Sequence, residues 1–219
     1  MSADKIKNAK CLGQLEVMDE LKLARKEERP ADFSHKAIGE FPLILDKVKF
    51  GLNLEGATIL GPLFFGEIVI EGDLILKDAV VNGPLHLAMS EVMGDFSLEN
   101  ASISGTVNMV GLEVGGSLRA EGMVNRGFLS LSKAVIDGSA DFERVKIESA
   151  KYQDLTVRGD VFLDGARVKG SLNLSRASAD GIIDLDSAVI GKDLVMSQTK
   201  SKKGKIETSG LEVGGRKIS

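Results

Sequence analysis

One frame of eleven residues repeats from Gly39 to the C-terminus, with a glycine first and apolar side chains at the third, fifth, eighth and tenth places. Gly72-Asp-Leu-Ile-Leu-Lys-Asp-Ala-Val-Val-Asn82 is followed without a linker by Gly83-Pro-Leu-His-Leu-Ala-Met-Ser-Glu-Val-Met93. Sixteen full units start at Gly39, Phe50, Gly61, Gly72, Gly83, Gly94, Gly105, Gly116, Gly127, Gly138, Glu148, Gly159, Gly170, Gly181, Lys192 and Gly204, and a partial one starts at Gly215. This count takes one residue as missing after Ile147 and Lys203 as extra. Self-similarity at a fixed short period predicts a solenoid, in which each unit buries its apolar face only against its neighbours.

Spacing within the unit selects the kind of solenoid. Apolar residues at places three and five, and again at eight and ten, form two short period-2 segments, the alternation of strands and not of helices. Glycine at the unit start, and Gly56, Asn100, Gly111, Gly122, Gly165, Ser187 and Gly210 at the seventh place, suit corners that need unusual backbone angles. The expected fold is an all-β, right-handed parallel β-helix with Leu, Ile, Val and Ala stacked inside. An absence of Trp and an aromatic content of 5% fit such a narrow interior.

Alternate units differ at the sixth place. One series reads Glu55, Lys77, Glu99, Glu121, Glu143, Asp164, Asp186, Ser209, and the other Ile44, Gly66, Ala88, Val110, Ser132, Gln153, Ser175, Ser197. Two units therefore make one coil of about twenty-two residues, and the chain holds about eight coils. Residues 1–38 lack the frame and form a separate N-terminal capping segment; residues 39–219 form the repeat domain. Within the cap, Val17, Met18, Leu21 and Ala24 share one side of a helix expected from about Gln14 to Glu28 and stopped by Pro30. Phe33 and Ile38 are placed to plug the first coil. A partner-binding or membrane-surface helix is the alternative for this segment.

No comparable segment follows the last unit, whose backbone edge is expected to be open. Open edges template pairing with another chain, so homo-oligomerisation through the C-terminal coil is expected, with Ile206, Leu211, Val213 and Ile218 as the self-association residues. Lys202, Lys203, Lys205, Arg216 and Lys217 act in the opposite sense, keeping this end solvated.

Units such as Gly159-Asp-Val-Phe-Leu-Asp-Gly-Ala-Arg-Val-Lys169 and Gly170-Ser-Leu-Asn-Leu-Ser-Arg-Ala-Ser-Ala-Asp180 resemble the divergent pentapeptide-repeat-like proteins of prokaryotes, over residues 39–219. That resemblance implies a right-handed β-helix without catalytic residues. The chain is similar, less closely, to the bactofilins, whose β-helices polymerise end to end. Twenty-two residues per coil, against twenty in the strict pentapeptide pattern, require two extra residues to be absorbed at corners. Architecture alone does not fix function.

Chemistry is sparsely represented. His35 stands outside the repeats and His86 at an outward fourth place, neither in a context of nucleophile, base and orienter, so no enzymatic activity is expected. Cys11 is the single cysteine, which excludes a disulfide framework or cysteine metal cluster. The constellation worth weighing is an acidic edge, Glu99, Glu121, Glu143, Asp164 and Asp186, expected on consecutive rungs about 4.8 Å apart. Like charges at that spacing repel, and a divalent cation, a cationic partner or a carbohydrate-cleaving carboxylate pair would each use such an edge. Solvent screening and the nearby Arg119, Arg144, Lys146 and Arg167 provide the simpler account, a solubilising edge. No cofactor is expected.

The repeat region carries 20 basic and 25 acidic residues, a net charge of −5, which speaks against the DNA mimicry known in some pentapeptide-repeat proteins. No basic stripe with interleaved aromatics supports nucleic-acid binding either. Outward apolar residues fall in two groups: Phe64, Val69, Ile75 and Val80, a seat for the N-terminal helix, and Phe128, Phe162, Ile182 and Val195, a lateral surface for a protein partner. The longest apolar stretch, Ala57 to Ile70, contains Glu67 and is too short to span a membrane. A cytoplasmic location without membrane insertion is expected.

Overall fold

The computed structural model describes residues 11–42, 47–152, 155–157 and 159–219. Ile44 and Gln153, two members of the uncharged sixth-place series, lie outside the described residues. The chain winds into a parallel β-solenoid of about eight coils, each coil contributing strands of two or three residues to four faces. In chain order within one coil these are face I (Leu52–Asn53), face II (Thr58–Ile59), face III (Leu63–Phe64) and face IV (Val69–Glu71). The next coil returns to face I at Leu74–Ile75, where Leu52 pairs with Leu74. Four sides thus close with eleven residues per half-coil because each strand is only two or three residues long and the corners take the rest.

Most two-residue strands of the solenoid turn one side chain in and one out, as Leu52–Asn53, Leu74–Ile75 and Leu118–Arg119 do. Leu52, Leu63, Leu74, Leu85 and Leu118 are fully buried, and the aliphatic stack runs through the molecule as a single core. A single coil cannot bury this face alone; its neighbours above and below complete the ladder and the packing.

Two kinds of corner explain the polar places of the frame. At the seventh place the backbone takes the left-handed conformation, at Gly56, Gly111, Gly122, Gly165 and Gly210 as expected, and equally at His35, Met89, Lys133 and Arg144. Glycine is therefore preferred there but not required, in keeping with a modest αL cost. The first-place glycines divide: Gly127 and Gly204 have positive φ as expected, whereas Gly72, Gly83, Gly94 and Gly105 do not. Close approach between rungs requires them. A Cβ on Gly105 would lie 2.5 Å from the Pro84 nitrogen and 2.7 Å from the Gly83 carbonyl carbon.

Fourth-place Asn and Asp stiffen the corners by accepting the amide two residues on, as Asn53 Oδ1 does from Glu55 (3.0 Å), Asp141 from Glu143 (2.9 Å) and Asn173 from Ser175 (2.9 Å).

The N-terminal segment closes one end of the solenoid. A helix, α1 (Gln14–Lys26), lies against Ala31–Asp32 and Val48–Lys49, the terminal strands of faces I and IV, and buries Val17 and Ala24 in the common core. Leu12 adds a one-residue rung to face II, donating its amide to Ala37 O (2.8 Å) and accepting from Gly39 (3.0 Å). The helix thus caps the end and does not sit on the lateral apolar group, where Phe64 and Val80 remain exposed. Its position is clamped by Arg29, which reaches both Glu20 oxygens (2.6 and 3.3 Å) while Glu20 also accepts the Asp32 amide (3.2 Å). Phe33 and Ile38 are buried in the first coil as expected.

The solenoid begins earlier than the frame suggested. Ala31–Asp32 and Ala37–Ile38 already pair with Leu52–Asn53 and Thr58–Ile59, with a spacing of 21 residues because this half-coil is one residue short. A second difference follows Glu148. Instead of a missing residue, the chain leaves the solenoid as an antiparallel hairpin, Ala150–Tyr152 with Leu155–Val157, and rejoins at Gly159. Leu129 consequently pairs with Val161 and Ala140 with Leu172, 32 residues on in place of 22. The extra residue expected at Lys203 is present, since Ile183 pairs with Ile206 at a spacing of 23.

Candidate functional site

The hairpin rearranges the expected acidic edge. Backbone bonds from Asn100 to Glu121 and from Gly122 to Glu143 place Glu99, Glu121 and Glu143 on consecutive rungs at the corner between faces I and II. The next residue in that column is Ser175, which accepts the Arg144 amide (2.9 Å). Asp164 and Asp186 stand at the opposite corner, between faces III and IV, where Asp164 lies beside Ser132. One column of five acids is therefore two short groups on opposite edges, because the step of 32 residues between paired rungs, in place of 22, exchanges the two halves of every later coil.

On the first edge, Arg144 joins Glu121 to Glu143, and Arg176 reaches Glu143 from the next rung (3.5 Å). Glu99 accepts the Ser97 hydroxyl (3.0 Å). These half-exposed pairs neutralise the expected repulsion locally and contribute little net stability.

On the second edge the acids gather more closely. Oxygens of Asp184, Asp186 and Glu207 lie within 4.8 Å of one another, all half-buried. Asp184 accepts the Asp186 amide (2.9 Å), Asp186 accepts the Ser209 amide (2.6 Å), and Glu207 pairs with Lys205. Burial pushes the Asp184 carboxyl above its ordinary value, and the charges of Asp186, Asp164 and Glu207 push the same way. The folded state thus holds this proton more tightly than the unfolded chain. Its contribution to stability is complete below the ordinary carboxylate range and is lost as pH rises through the elevated value. Asp184→Asn keeps the acceptor for the Asp186 amide and removes the charge. It is expected to raise Tm at neutral pH, with the gain over wild type shrinking as pH is lowered through the carboxylate range; an unchanged or lower Tm at pH 7 contradicts this.

A polar ladder that the sixth-place comparison missed runs along the corner before face I. Asp73 Oδ1 accepts the Asp95 amide (2.8 Å), Asp95 the Ser117 amide (2.8 Å), and Ser117 Oγ the Ser139 amide (3.2 Å). Beyond the hairpin, Ser139 accepts from Ser171 (3.1 Å), Ser171 from Asp193 (3.3 Å) and Asp193 from Arg216 (2.8 Å). The Ser117 amide and the Arg119 side chain hold the Asp95 carboxyl below its usual range. The second places Asp73, Asp95, Ser117, Ser139, Ser171 and Asp193 carried this signal, and their continuity across the hairpin marks the true pairing of half-coils.

The C-terminal end is the counterpart of the helix-capped one. Its last rung consists of Lys200–Ser201, Ile206–Glu207, Glu212–Val213 and Lys217–Ile218, one strand per face, with no strand beyond them among the described residues. Ile206 is 37% exposed where Ile183, one rung earlier, is 1% exposed. Leu211 and Val213 are only partly buried against the core. Ile218 is placed differently from expectation: it pairs with outward Val195, and Lys217 takes the inward place over Leu194. An inward-facing charge at an edge opposes pairing, so Ile206, Leu211 and Val213 form the apolar end surface and Ile218 lies outside it. Among the surrounding cations, Lys202 pairs with Asp180 (2.5 Å), Arg216 with Asp193 (2.8 Å) and Lys205 with Glu207.

His35 is exposed at a corner, and His86 lies on face III beside Phe64, with ring centroids 6.2 Å apart. Cys11 is exposed. Of the second outward apolar group, Phe128 and Phe162 meet edge to face at 6.5 Å. No helix among the described residues is long and apolar enough to cross a membrane. Comparison with protein-family models, curated proteins and solved structures finds no match to this chain.

Proposed function

We propose that this chain is a non-catalytic, cytoplasmic scaffold of the pentapeptide-repeat-like kind, which self-associates through its C-terminal rung. The observation that carries this reading is the contrast between the ends: α1 and Leu12 cover the first rung, whereas Ile206, Leu211 and Val213 leave the last one apolar and without a covering strand among the described residues. A second copy offers both missing elements, a backbone edge and an apolar surface of the same outline. Lys217 disfavours close approach at face I, so contact centres on Ile206–Glu207 and Glu212–Val213.

Light scattering over a concentration series tests this. The full-length chain is expected to exceed monomer mass, Val213→Asp to return it to monomer with an unchanged circular dichroism spectrum, and Lys217→Leu to tighten association. A strictly monomeric full-length chain at all concentrations overturns the proposal.

A further inference from the structure

Residues 148–158 satisfy the solenoid frame in sequence, although Ala150–Tyr152 and Leu155–Val157 pair with each other as a hairpin. In a unit begun at Glu148, Ala150, Tyr152, Leu155 and Val157 fall at the third, fifth, eighth and tenth places. Threading them would leave a half-coil of ten residues, 138–147, on faces I and II. The fold already contains a half-coil one residue short on the same two faces, since Ala31 and Ala37 pair 21 residues on with Leu52 and Thr58. Beyond the hairpin both half-coils carry apolar third and fifth places, Val161 and Leu163 in one and Leu172 and Leu174 in the other, all buried. Exchanging the halves would therefore bring no polar side chain into the core at these places.

We propose that residues 149–158 are an optional half-coil, so that the chain beyond Glu148 stacks in two registers. In the major one the hairpin stands outside. In the minor one it is threaded, and every later residue is turned by half a coil. The minor register gives Ala150, Tyr152, Leu155 and Val157 the inward places of the frame, the places that bury apolar side chains in the neighbouring units. Three features hold it in the minority. Glu148 would take the first place, where stacking admits glycine most readily, as the 2.5 Å approach of a Cβ on Gly105 to Pro84 shows. The second-place ladder would run from Ser139 to Asp160 and stop at Ile182, which has no side-chain acceptor. Asp164 would move next to Glu143, with Asp186 beyond it, joining like charges along one edge. The register thus decides whether the five acids are split between opposite edges or united in one column.

Disulfide trapping in a Cys11→Ala background distinguishes the registers. Asp141 and Asn173 are stacked neighbours on face I, whereas Phe162 stacks on Ser130 on face III. In the threaded register Asp141 would instead stack on Phe162. Rung neighbours about 4.8 Å apart lie within the disulfide range of about 4.4–6.8 Å. Two double variants, Asp141→Cys with Asn173→Cys and Asp141→Cys with Phe162→Cys, are refolded in a thiol–disulfide buffer, and intramolecular bonds are read by mass spectrometry. The first pair reports correct folding. Deletion of residues 149–158 removes the threaded option and sets the background for the second pair. With Glu148 present, the second pair is expected to bond in roughly 0.1–10% of molecules, the range of a minor state, and several-fold more with Glu148→Gly. A yield at the deletion background in the Glu148 chain, with the first pair bonding normally, overturns the proposal.

Discussion

Phe65→Ala is expected to cost about 3–5 kcal/mol, the range for emptying a large buried aromatic site. Phe65 is fully buried, and its ring meets Phe41 edge to face at 5.2 Å, while Phe41 meets Phe33 at 5.8 Å. These three rings belong to the same buried core as Val17 and Ala24 of the cap. Each edge-to-face pair adds about 0.5–1.5 kcal/mol beyond burial. The site cannot collapse readily, because ladder bonds such as Phe65 N–H to His86 O (2.7 Å) hold the rungs at fixed separation. Because a solenoid couples only neighbouring repeats, the loss is expected to concentrate at the N-terminal end. Urea unfolding should show the reduced stability, and native-state hydrogen exchange should show faster exchange in residues 31–76 than around Leu172–Ile190. A loss below about 1 kcal/mol, or one spread evenly along the rod, contradicts this account.

Two glycines at the same place of the frame are expected to differ widely when replaced by alanine. Gly105→Ala puts a Cβ 2.5 Å from the Pro84 nitrogen and 2.7 Å from Pro84 Cα, backbone atoms that the ladder fixes in place. Overpacking of this kind costs about 1–3 kcal/mol, and the rigid neighbour places Gly105 at the upper end. Gly39 starts a unit too, but a Cβ there would meet only Cys11 Sγ at 3.6 Å and Leu12 O at 3.7 Å, ordinary contacts. Gly39→Ala is expected to be within about 0.5 kcal/mol of wild type. Thermal melts of the two variants decide the matter, and equal losses would show that stacking distance is not what selects glycine at the first place.

The stacked core was legible because its cause is local and repeated. Leu52, Leu74 and Leu118 occupy one place of the frame and one column of the interior, so every repeat reports the same constraint. Seventh-place corners were legible for the same reason. The role of first-place glycines such as Gly105 was not, since Gly105 is required by a neighbour 21 residues away and not by its own torsion angles. The inward place of Lys217 was legible too, since the partial unit begun at Gly215 puts Lys217 at the third place and Ile218 at the fourth; choosing Ile218 for its apolar side chain set that frame aside.

The acidic edge shows how a sound local pattern leads to a wrong long-range placement. Glu99, Glu121 and Glu143 stack as their spacing implies, and Asp164 and Asp186 stack on each other. What separated the two groups was the pairing of Ala150–Tyr152 with Leu155–Val157, whose apolar pattern fits solenoid strand and hairpin alike. The second-place series Ser139, Ser171 and Asp193 held the missing information, because each accepts an amide from the next rung and so records which half-coils are in contact.

The amino-acid sequence by itself determined a parallel β-solenoid, its aliphatic filling, its two half-coils per turn and its helical cap. These rest on side-chain periodicity, which acts between residues close in the frame. Only the tertiary structure decided that the coil has four faces, that α1 crosses the end in place of a side, and that the hairpin after Glu148 exchanges the two edges downstream. Those outcomes depend on which rungs touch, and in a repeating chain many contacts are locally equivalent. Backbone crowding at the glycines, the amide ladder and charge repulsion between rungs are the terms that choose among them.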